Sequence, residues 1–366
     1  MRKLRIAYIA KEMPVNGIST VILNFCRNLN KDKYDITIFS GAPIAEQYKI
    51  ECQELGIRLE EMPPKRGGNP LKYYNYLFKN ITAKNFDIVH VHGNSATITI
   101  EMIMALIRGI KVRIAHCHNT TCDNIKIHEL LKKIFRKIYT HGFACSQEAG
   151  KWLFGDNQFE VLANGFNITK FKFDSNMREK TRKKLKLEKK LVLGHVGMFN
   201  KQKNHEFLLK VFKEVSDYNK NTKLLLVGNG PDFKKIKELI DVHPYKENII
   251  CYGESENVEE LYAAMDVFVF PSKHEGLGIV LLEAQMNGLT CVTSSVVPDE
   301  VKITTNIKKI SLESSISLWK DKILEFSNKK IDREKIFLEN INEFQKYDIV
   351  ENTKYLESVY DKIVKK

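Results

Sequence analysis

Short apolar runs alternate with helix-period segments along nearly the whole chain, and this alternation restricts the fold more than any other feature. A run too short for a helix and apolar on both faces reads as a strand of a parallel sheet, because helices cover both sides of such a strand. The first half carries these runs at residues 4–10, 35–40, 86–92, 112–117 and 142–145, with a closing candidate at 159–162. The second half carries them at 191–196, 223–227, 249–252, 267–270 and 290–293. Two such series predict two doubly wound α/β domains. A chain of 366 residues with 43% hydrophobic content can fill two cores.

The break between the series falls in 173–190, where Arg178, Lys180, Arg182, Lys183, Lys184, Lys186, Lys189 and Lys190 crowd a segment with few apolar residues. Such a charge run predicts a solvated connector. A last helical pattern, 349–363, carries Tyr355, Leu356, Val359 and Tyr360 and stands apart from the second series.

Seven cysteines are scattered without metal-like pairing, as expected of reduced thiols in a cytoplasmic protein. The run at 4–10 ends at Lys11 and is too short for a signal peptide or a membrane span. A net charge of +13 calls for an anionic partner. No helix-turn-helix, zinc-finger spacing or aromatic RNA-binding signature accompanies the charge, which argues against nucleic acid. A more local feature is the segment 126–139, where Ile127, Leu130, Leu131, Ile134, Phe135 and Ile138 form one apolar stripe among Lys132, Lys133, Arg136 and Lys137. It predicts an amphipathic helix packing its stripe on the core, with basic side chains able to meet anionic lipid.

The densest chemistry lies in residues 271–288, Pro-Ser-Lys-His-Glu-Gly-Leu-Gly-Ile-Val-Leu-Leu-Glu-Ala-Gln-Met-Asn-Gly. The apolar run before it predicts a buried strand and 279–286 a helix start, so Gly276 and Gly278 fall at a strand-to-helix corner. A helix N-terminus offers unpaired N–H groups and partial positive charge, and glycines let an anion come close. Glu275 and Glu283, seven residues apart, would repel a phosphate but suit the hydroxyls of an attached sugar. The corner predicts a nucleotide-sugar pocket.

These residues resemble the retaining, nucleotide-sugar-dependent glycosyltransferases of family 4, which have the GT-B fold of two Rossmann-like domains facing a cleft. The resemblance covers most of the chain. It continues in Gly194-His-Val-Gly-Met-Phe-Asn-Lys-Gln-Lys-Asn-His205, Leu224-Leu-Leu-Val-Gly-Asn-Gly-Pro231, His116-Cys-His-Asn119, Ala144-Cys-Ser146 and Leu162-Ala-Asn-Gly-Phe-Asn167. The chain is most similar to the subgroup that builds bacterial capsular and exopolysaccharide repeat units. The resemblance implies an acceptor-side domain at 1–172, a linker at 173–190, a nucleotide-sugar domain at 191–345 and a helix at 346–366 crossing back to the first domain.

It also implies roles. The loop after the first strand usually holds two adjacent glycines against the donor phosphates; here Asn16 replaces the first and Gly17 remains. Where the family has arginine after Gly197, this chain has Met198, which leaves Lys203 to stabilise the leaving diphosphate, with Lys201 as a possible supplement. His118 is placed near the reacting carbon, while His116, on the same strand face, reads as structural, and His90 and His92 as lining residues at most. Gly228 and Gly230 shape the base pocket, Glu283 accepts from the ribose, Glu275 from the transferred sugar, and the backbone of Gly276, Leu277 and Gly278 meets the diphosphate.

The implied reaction moves a sugar, from a UDP-linked donor in the first instance, to a hydroxyl of a glycan acceptor, polyprenyl-linked at the inner membrane face. Configuration is retained, and the leaving phosphate helps deprotonate the acceptor. Paired carboxylates are not needed, unlike in a glycoside hydrolase. The chain contains no Asp-x-Asp, so neither a metal nor another cofactor is expected. Three alternatives stand beside this one. A dinucleotide oxidoreductase lacks its Gly-x-Gly-x-x-Gly turn after 4–10. A non-catalytic nucleotide-sugar-binding relative or partner subunit would account for Met198 and Asn16. A nucleotide-sugar isomerase would need no acceptor.

Overall fold

The computed structural model describes residues 2–14, 17–65 and 67–364, and its packing divides the chain into two units. Unit 1 comprises Met1–Phe166 and Lys346–Lys366; unit 2 is Asn167–Gln345. Asn16 lies outside the described residues.

Unit 1 is built on a parallel sheet of β1 (Leu4–Ala10), β2 (Tyr34–Gly41), β3 (Arg58–Met62), β4 (Ile88–His92), β5 (Val112–Cys117), β6 (His141–Ala144) and β7 (Glu160–Val161), in the order β3-β2-β1-β4-β5-β6-β7. Continuous apolar sequence puts β1 at the centre, with Ile6 paired to Ile36 on one side and Ile88 on the other. The helix Ile349–Val364 belongs to this unit and packs on the helix Gly17–Asn28. Its Tyr360 hydroxyl lies 2.9 Å from the Tyr8 hydroxyl and 2.7 Å from His90 Nδ1, all buried.

Unit 2 holds β8 (Leu191–Val196), β9 (Thr222–Val227), β10 (Ile249–Gly253), β11 (Val267–Phe270), β12 (Thr290–Ser294) and β13 (Ile307–Ile310), all parallel, in the order β10-β9-β8-β11-β12-β13. The four residues of β11 are inaccessible to solvent, as a strand covered on both faces requires. Leu193, Leu224, Val267 and Val292 from four adjacent strands share a core with Phe212 and Trp319.

Two strands escape the sequence pattern, β3 with sequence Arg-Leu-Glu-Glu-Met and β13 with Ile-Lys-Lys-Ile. Both lie at sheet edges, where charged side chains reach water and block further pairing. The segment 173–190 also departs from expectation. It contains the helix Ser175–Lys184, capped by Asp174, which accepts from the amides of Asn176 and Met177. Arg178 donates to the carbonyls of Ala263 and Met265 at 2.8 Å, and Arg182 to that of Ala264 at 2.8 Å, while both pair with Asp266. The two arginines thus cap the end of the helix Val258–Ala264 and tie this segment to unit 2, whereas Lys180, Lys183 and Lys186 are solvated as expected.

Candidate functional site

In unit 2 the winding reverses between β8 and β11. From β8 the chain builds outward through β9 and β10, then returns to the other side of β8 for β11, β12 and β13. Loops leaving the carboxyl ends of strands at such a reversal form the ligand crevice of open α/β sheets. Three sequence-predicted segments emerge there: 197–204 after β8, 228–232 after β9 and 271–278 after β11.

Backbone bonds join them. Phe199 donates to the carbonyl of Asn229 at 2.9 Å, and Asp232 to that of Phe199 at 2.8 Å. Lys273 donates to the carbonyl of Gln202 at 2.8 Å, and the Gln202 side chain to that of His274 at 2.9 Å. Gly228 has φ +128°, and a Cβ there would stand 2.3 Å from the Gly197 carbonyl oxygen. A Cβ on Gly230 would meet the Phe199 oxygen at 2.6 Å. The Gly228-Asn-Gly turn is therefore required for two loops to lie against each other. Gly278, at φ 84° and ψ 54°, opens the helix Ile279–Met286 from the left-handed region, and Gly276, Leu277 and Gly278 are buried.

The charged candidates meet inside this frame. Lys203 Nζ lies 2.7 Å from Glu275 Oε1 and 4.6 Å from the centre of the Phe270 ring, with the two charged side chains only 14% and 6% exposed. An added Cβ on Gly197 would sit 3.3 Å from the Lys203 Cδ and Cε, so the glycine leaves room for the lysine stem. Glu283, in the second turn of its helix, accepts from the Tyr262 hydroxyl at 2.8 Å. Burial pushes its carboxyl up to about 7, against the opposing pull of Tyr262 and Lys170. His195 and His205, behind Lys203, are held neutral by burial, at about 4 and about 2. Met198 is half-buried beside Gly230, where its Cγ would lie 2.8 Å from an added Cβ.

In unit 1, Gly17 is the exposed first residue of its helix, and nothing lies within 4 Å of an added Cβ. Packing does not require glycine there. His118 directly follows β5 and is 7% exposed. Its Nδ1 lies 3.3 Å from Asn164 Oδ1, its Nε2 3.0 Å from His92 Nδ1, and its amide donates to Asn94 Oδ1 at 3.1 Å. With the Asn164 oxygen accepting, Nδ1 carries the proton and Nε2 accepts from His92. Burial lowers its imidazole to about 4, so the ring is neutral at physiological pH with both nitrogens engaged.

His90, His92 and His116 surround it as a stacked group, with His92 and His116 in register on β4 and β5. The ring centres of His90 and His92 are 4.5 Å apart, and those of His116 and His118 4.2 Å. Burial drives His90, His92 and His116 well below the ordinary imidazole range. Among the described residues, His90, His92 and His116 each bring one potential metal-ligating nitrogen within 4.8 Å of the others. Sequence reasoning missed the parts played by His92 and Asn164, although the alternating histidines ending β4 and β5 and the Leu162-Ala-Asn-Gly block were visible signals. It also missed Tyr262 and Phe270, whose apolar neighbours conceal a contact made only by the fold.

Comparison with known proteins follows these two regions. The model for glycosyl transferases group 1 matches residues 177–342, and that for glycosyltransferase family 4 matches 15–170. EpsF of Bacillus subtilis, provisionally named a glycosyltransferase, is 30% identical over 98% of this chain and 96% of its own. The Escherichia coli UDP-Gal:alpha-D-GlcNAc-diphosphoundecaprenol alpha-1,3-galactosyltransferase is 23% identical over 80% of each chain. Among solved structures, Anabaena HepE in complex with UDP superposes with a TM-score of 0.81 at 16% identity, over 98% of this chain and 100% of its own. The shared fold is GT-B, with two Rossmann-like units.

Proposed function

The chain belongs to glycosyltransferase family 4, and from that premise we propose that it moves a sugar from a UDP-linked donor to a hydroxyl of a lipid-linked glycan, with retention, during capsular or exopolysaccharide assembly. The observation that carries this reading is the Lys203–Glu275 pair at the winding reversal of unit 2, framed by Gly197, Gly228 and Gly230. Donor and acceptor classes are supported by the UDP held in the HepE complex and by the diphosphoundecaprenol-linked acceptor in the name of the E. coli relative. The protein acts in the cytoplasm, peripheral at the inner face of a membrane.

When a diphosphate arrives, the Lys203 ammonium turns from the carboxylate to the phosphate oxygens, and Glu275 is released to accept from a hydroxyl of the transferred sugar. The backbone at Gly276, Leu277 and Gly278 adds N–H groups to the same charge. Glu283 accepts from the ribose. His118 is neutral, so it stabilises no anion by charge. As the glycosidic C–O bond lengthens, negative charge collects on the diphosphate, where Lys203 stabilises it. The acceptor proton passes to the leaving phosphate oxygen as the new C–O bond forms on the same face. Met198 leaves Lys203 as the cation on which this step depends. No metal is required, and turnover proceeds in EDTA.

A screen of UDP-, GDP- and ADP-linked sugars by calorimetry and mass spectrometry, in EDTA, on wild type and Lys203→Ala, tests the proposal. Donor binding and slow donor hydrolysis by wild type, both weakened in the variant, support it. Loss of turnover in EDTA that magnesium or manganese restores would overturn metal independence. Binding without turnover, even with lipid acceptors supplied, would mark a non-catalytic nucleotide-sugar-binding protein.

A further inference from the structure

His90, His92 and His116 form a donor set that the transfer reading leaves without a task. Alternation along a strand puts His90 and His92 on one face of β4, and parallel register sets His116 of β5 directly beside His92. Three imidazoles are thus gathered at neighbouring positions of one sheet face, 0%, 4% and 0% exposed. One ring nitrogen from each lies within 4.8 Å of the other two.

The hydrogen bonds around the set decide which nitrogens are engaged. Asn164 takes the proton of His118 Nδ1, so His118 Nε2 accepts from His92 Nδ1. His92 Nε2 then carries a bare lone pair, buried and without a hydrogen-bond partner among the described residues. His90 is engaged at Nδ1 by the Tyr360 hydroxyl, and its Nε2 is likewise buried and unpartnered. Both nitrogens of His116 are unpartnered; the Leu162 backbone favours a proton on that ring without closing a hydrogen bond. A buried polar atom with no partner is costly, and here three adjacent side chains carry such atoms at one place. Added protons do not relieve them, since burial keeps all three rings neutral.

We infer that His90, His92 and His116 bind a transition-metal dication of the zinc class, through Nε2 of His90, Nε2 of His92 and one nitrogen of His116. Three neutral imidazoles with an open fourth position for water are a zinc donor set, and nitrogen ligands select such ions over magnesium and calcium. Nitrogens about 2.0 to 2.1 Å from one zinc stand about 3.3 Å apart, so the rings close by about 1.5 Å at most, which side-chain rotation supplies without moving the strands. The other nitrogens make the contacts that orient metal-bound imidazoles. His92 Nδ1 donates to His118, while a metal at His90 Nε2 leaves the proton on Nδ1 for the Tyr360 oxygen, whose own hydrogen turns to Tyr8. The ion is structural: through Tyr360 it ties β4 and β5 to the helix Ile349–Val364. It is not the diphosphate-bridging metal against which the lack of an Asp-x-Asp argues.

The test strips the full chain with EDTA, removes the chelator by dialysis, and titrates with Zn2+ and with Co2+ as a visible probe. Expected are one equivalent per chain, the intense visible bands of four-coordinate cobalt and, at zinc about a hundredfold above Kd, a melting temperature about 5 to 10 °C higher. His116→Leu replaces an unpartnered imidazole by an apolar group, so it should melt no lower than metal-free wild type and lose at least about a hundredfold in affinity. Tyr360→Phe keeps all three ligands and removes one orienting partner, which should cost about tenfold to a hundredfold. His141→Gln, outside the set, should bind like wild type. No uptake, the weak bands of six-coordinate cobalt, or equal affinity in wild type and His116→Leu would overturn the inference. His90→Gln repeats the comparison if His116→Leu does not fold, and the wild-type cobalt spectrum decides without either. Donor hydrolysis in EDTA, below the melting point of the metal-free chain, reports on the transfer reading separately.

Discussion

Lys203→Met separates what the Lys203–Glu275 pair does for stability from what Lys203 does in catalysis. At 14% and 6% exposure, the two side chains have little water to replace a lost partner. Removing one member of such a pair takes a close counter-charge from the other and costs about 3 to 5 kcal/mol. For a unit of this size that lowers the melting temperature by roughly 10 °C. Loss of a preorganised cation from the developing diphosphate charge costs about 3 kcal/mol of transition-state stabilisation, roughly a hundredfold in kcat/KM. Adding Glu275→Gln to Lys203→Met removes the remaining charge of the pair. The double variant should recover most of the melting temperature and none of the turnover. Scanning calorimetry and donor-hydrolysis rates, measured below the lower melting point, follow the two quantities on the same samples. If turnover returned with stability, Lys203 would serve the fold rather than the diphosphate. If Lys203→Met melted like wild type, the pair would not be coupled as its geometry requires.

Three further perturbations have defined outcomes. With the Glu283 carboxyl at about 7, only its ionised form accepts two ribose hydrogen bonds, so UDP affinity should rise with pH by up to about tenfold per unit below pH 7 and be flat in Glu283→Gln. The same shift has the opposite sign for stability: the folded state binds the extra proton, so stability falls as pH rises from about 4.5 to 7, and a wild-type affinity insensitive to pH would remove Glu283 from the donor site. Gly228→Ala must push a backbone oxygen from 2.3 Å and should cost about 2 kcal/mol or more, whereas Gly17→Ala meets nothing within 4 Å, should melt like wild type in thermal unfolding, and should weaken donor binding. Tyr360→Phe leaves Tyr8 and His90 without their shared hydroxyl and should cost about 1 to 3 kcal/mol in urea titration; an unchanged midpoint would mean that water replaces it.

Much of this architecture could be read from the chain because parallel strands buried on both faces leave an unbroken apolar record, as β1 and β11 do. The edge strands β3 and β13 leave none, since half their side chains answer to water. The loops after β8, β9 and β11 were recognisable one by one as glycine-bearing turns. That Gly228 supports Gly197, or that Lys203 reaches Glu275, depends on strand order, which pairs residues about 30 and about 70 positions apart. On the helix Ile125–Ile138, periodicity identified the apolar residues, but two stripes of similar composition compete for the core. His128 and Phe135 won because Trp152 and Ala96 receive them. Arg178 and Arg182 looked like their lysine neighbours in sequence; the planar fork of five donors is what allowed them to collect the carbonyls of another helix.

The discontinuity of unit 1 has a consequence for how the protein is made. Residues 167–345 are contiguous and can fold as soon as they clear the ribosome, but the first unit emerges earlier and must wait. Until Ile349–Val364 is synthesised, the face that will receive Tyr360, with Tyr8 and His90 on it, has no cover. The N-terminal half is therefore obliged to persist, partly open, through translation of the whole second unit. Stop codons or tags that shorten the last helix should leave the second unit intact and the first prone to aggregate.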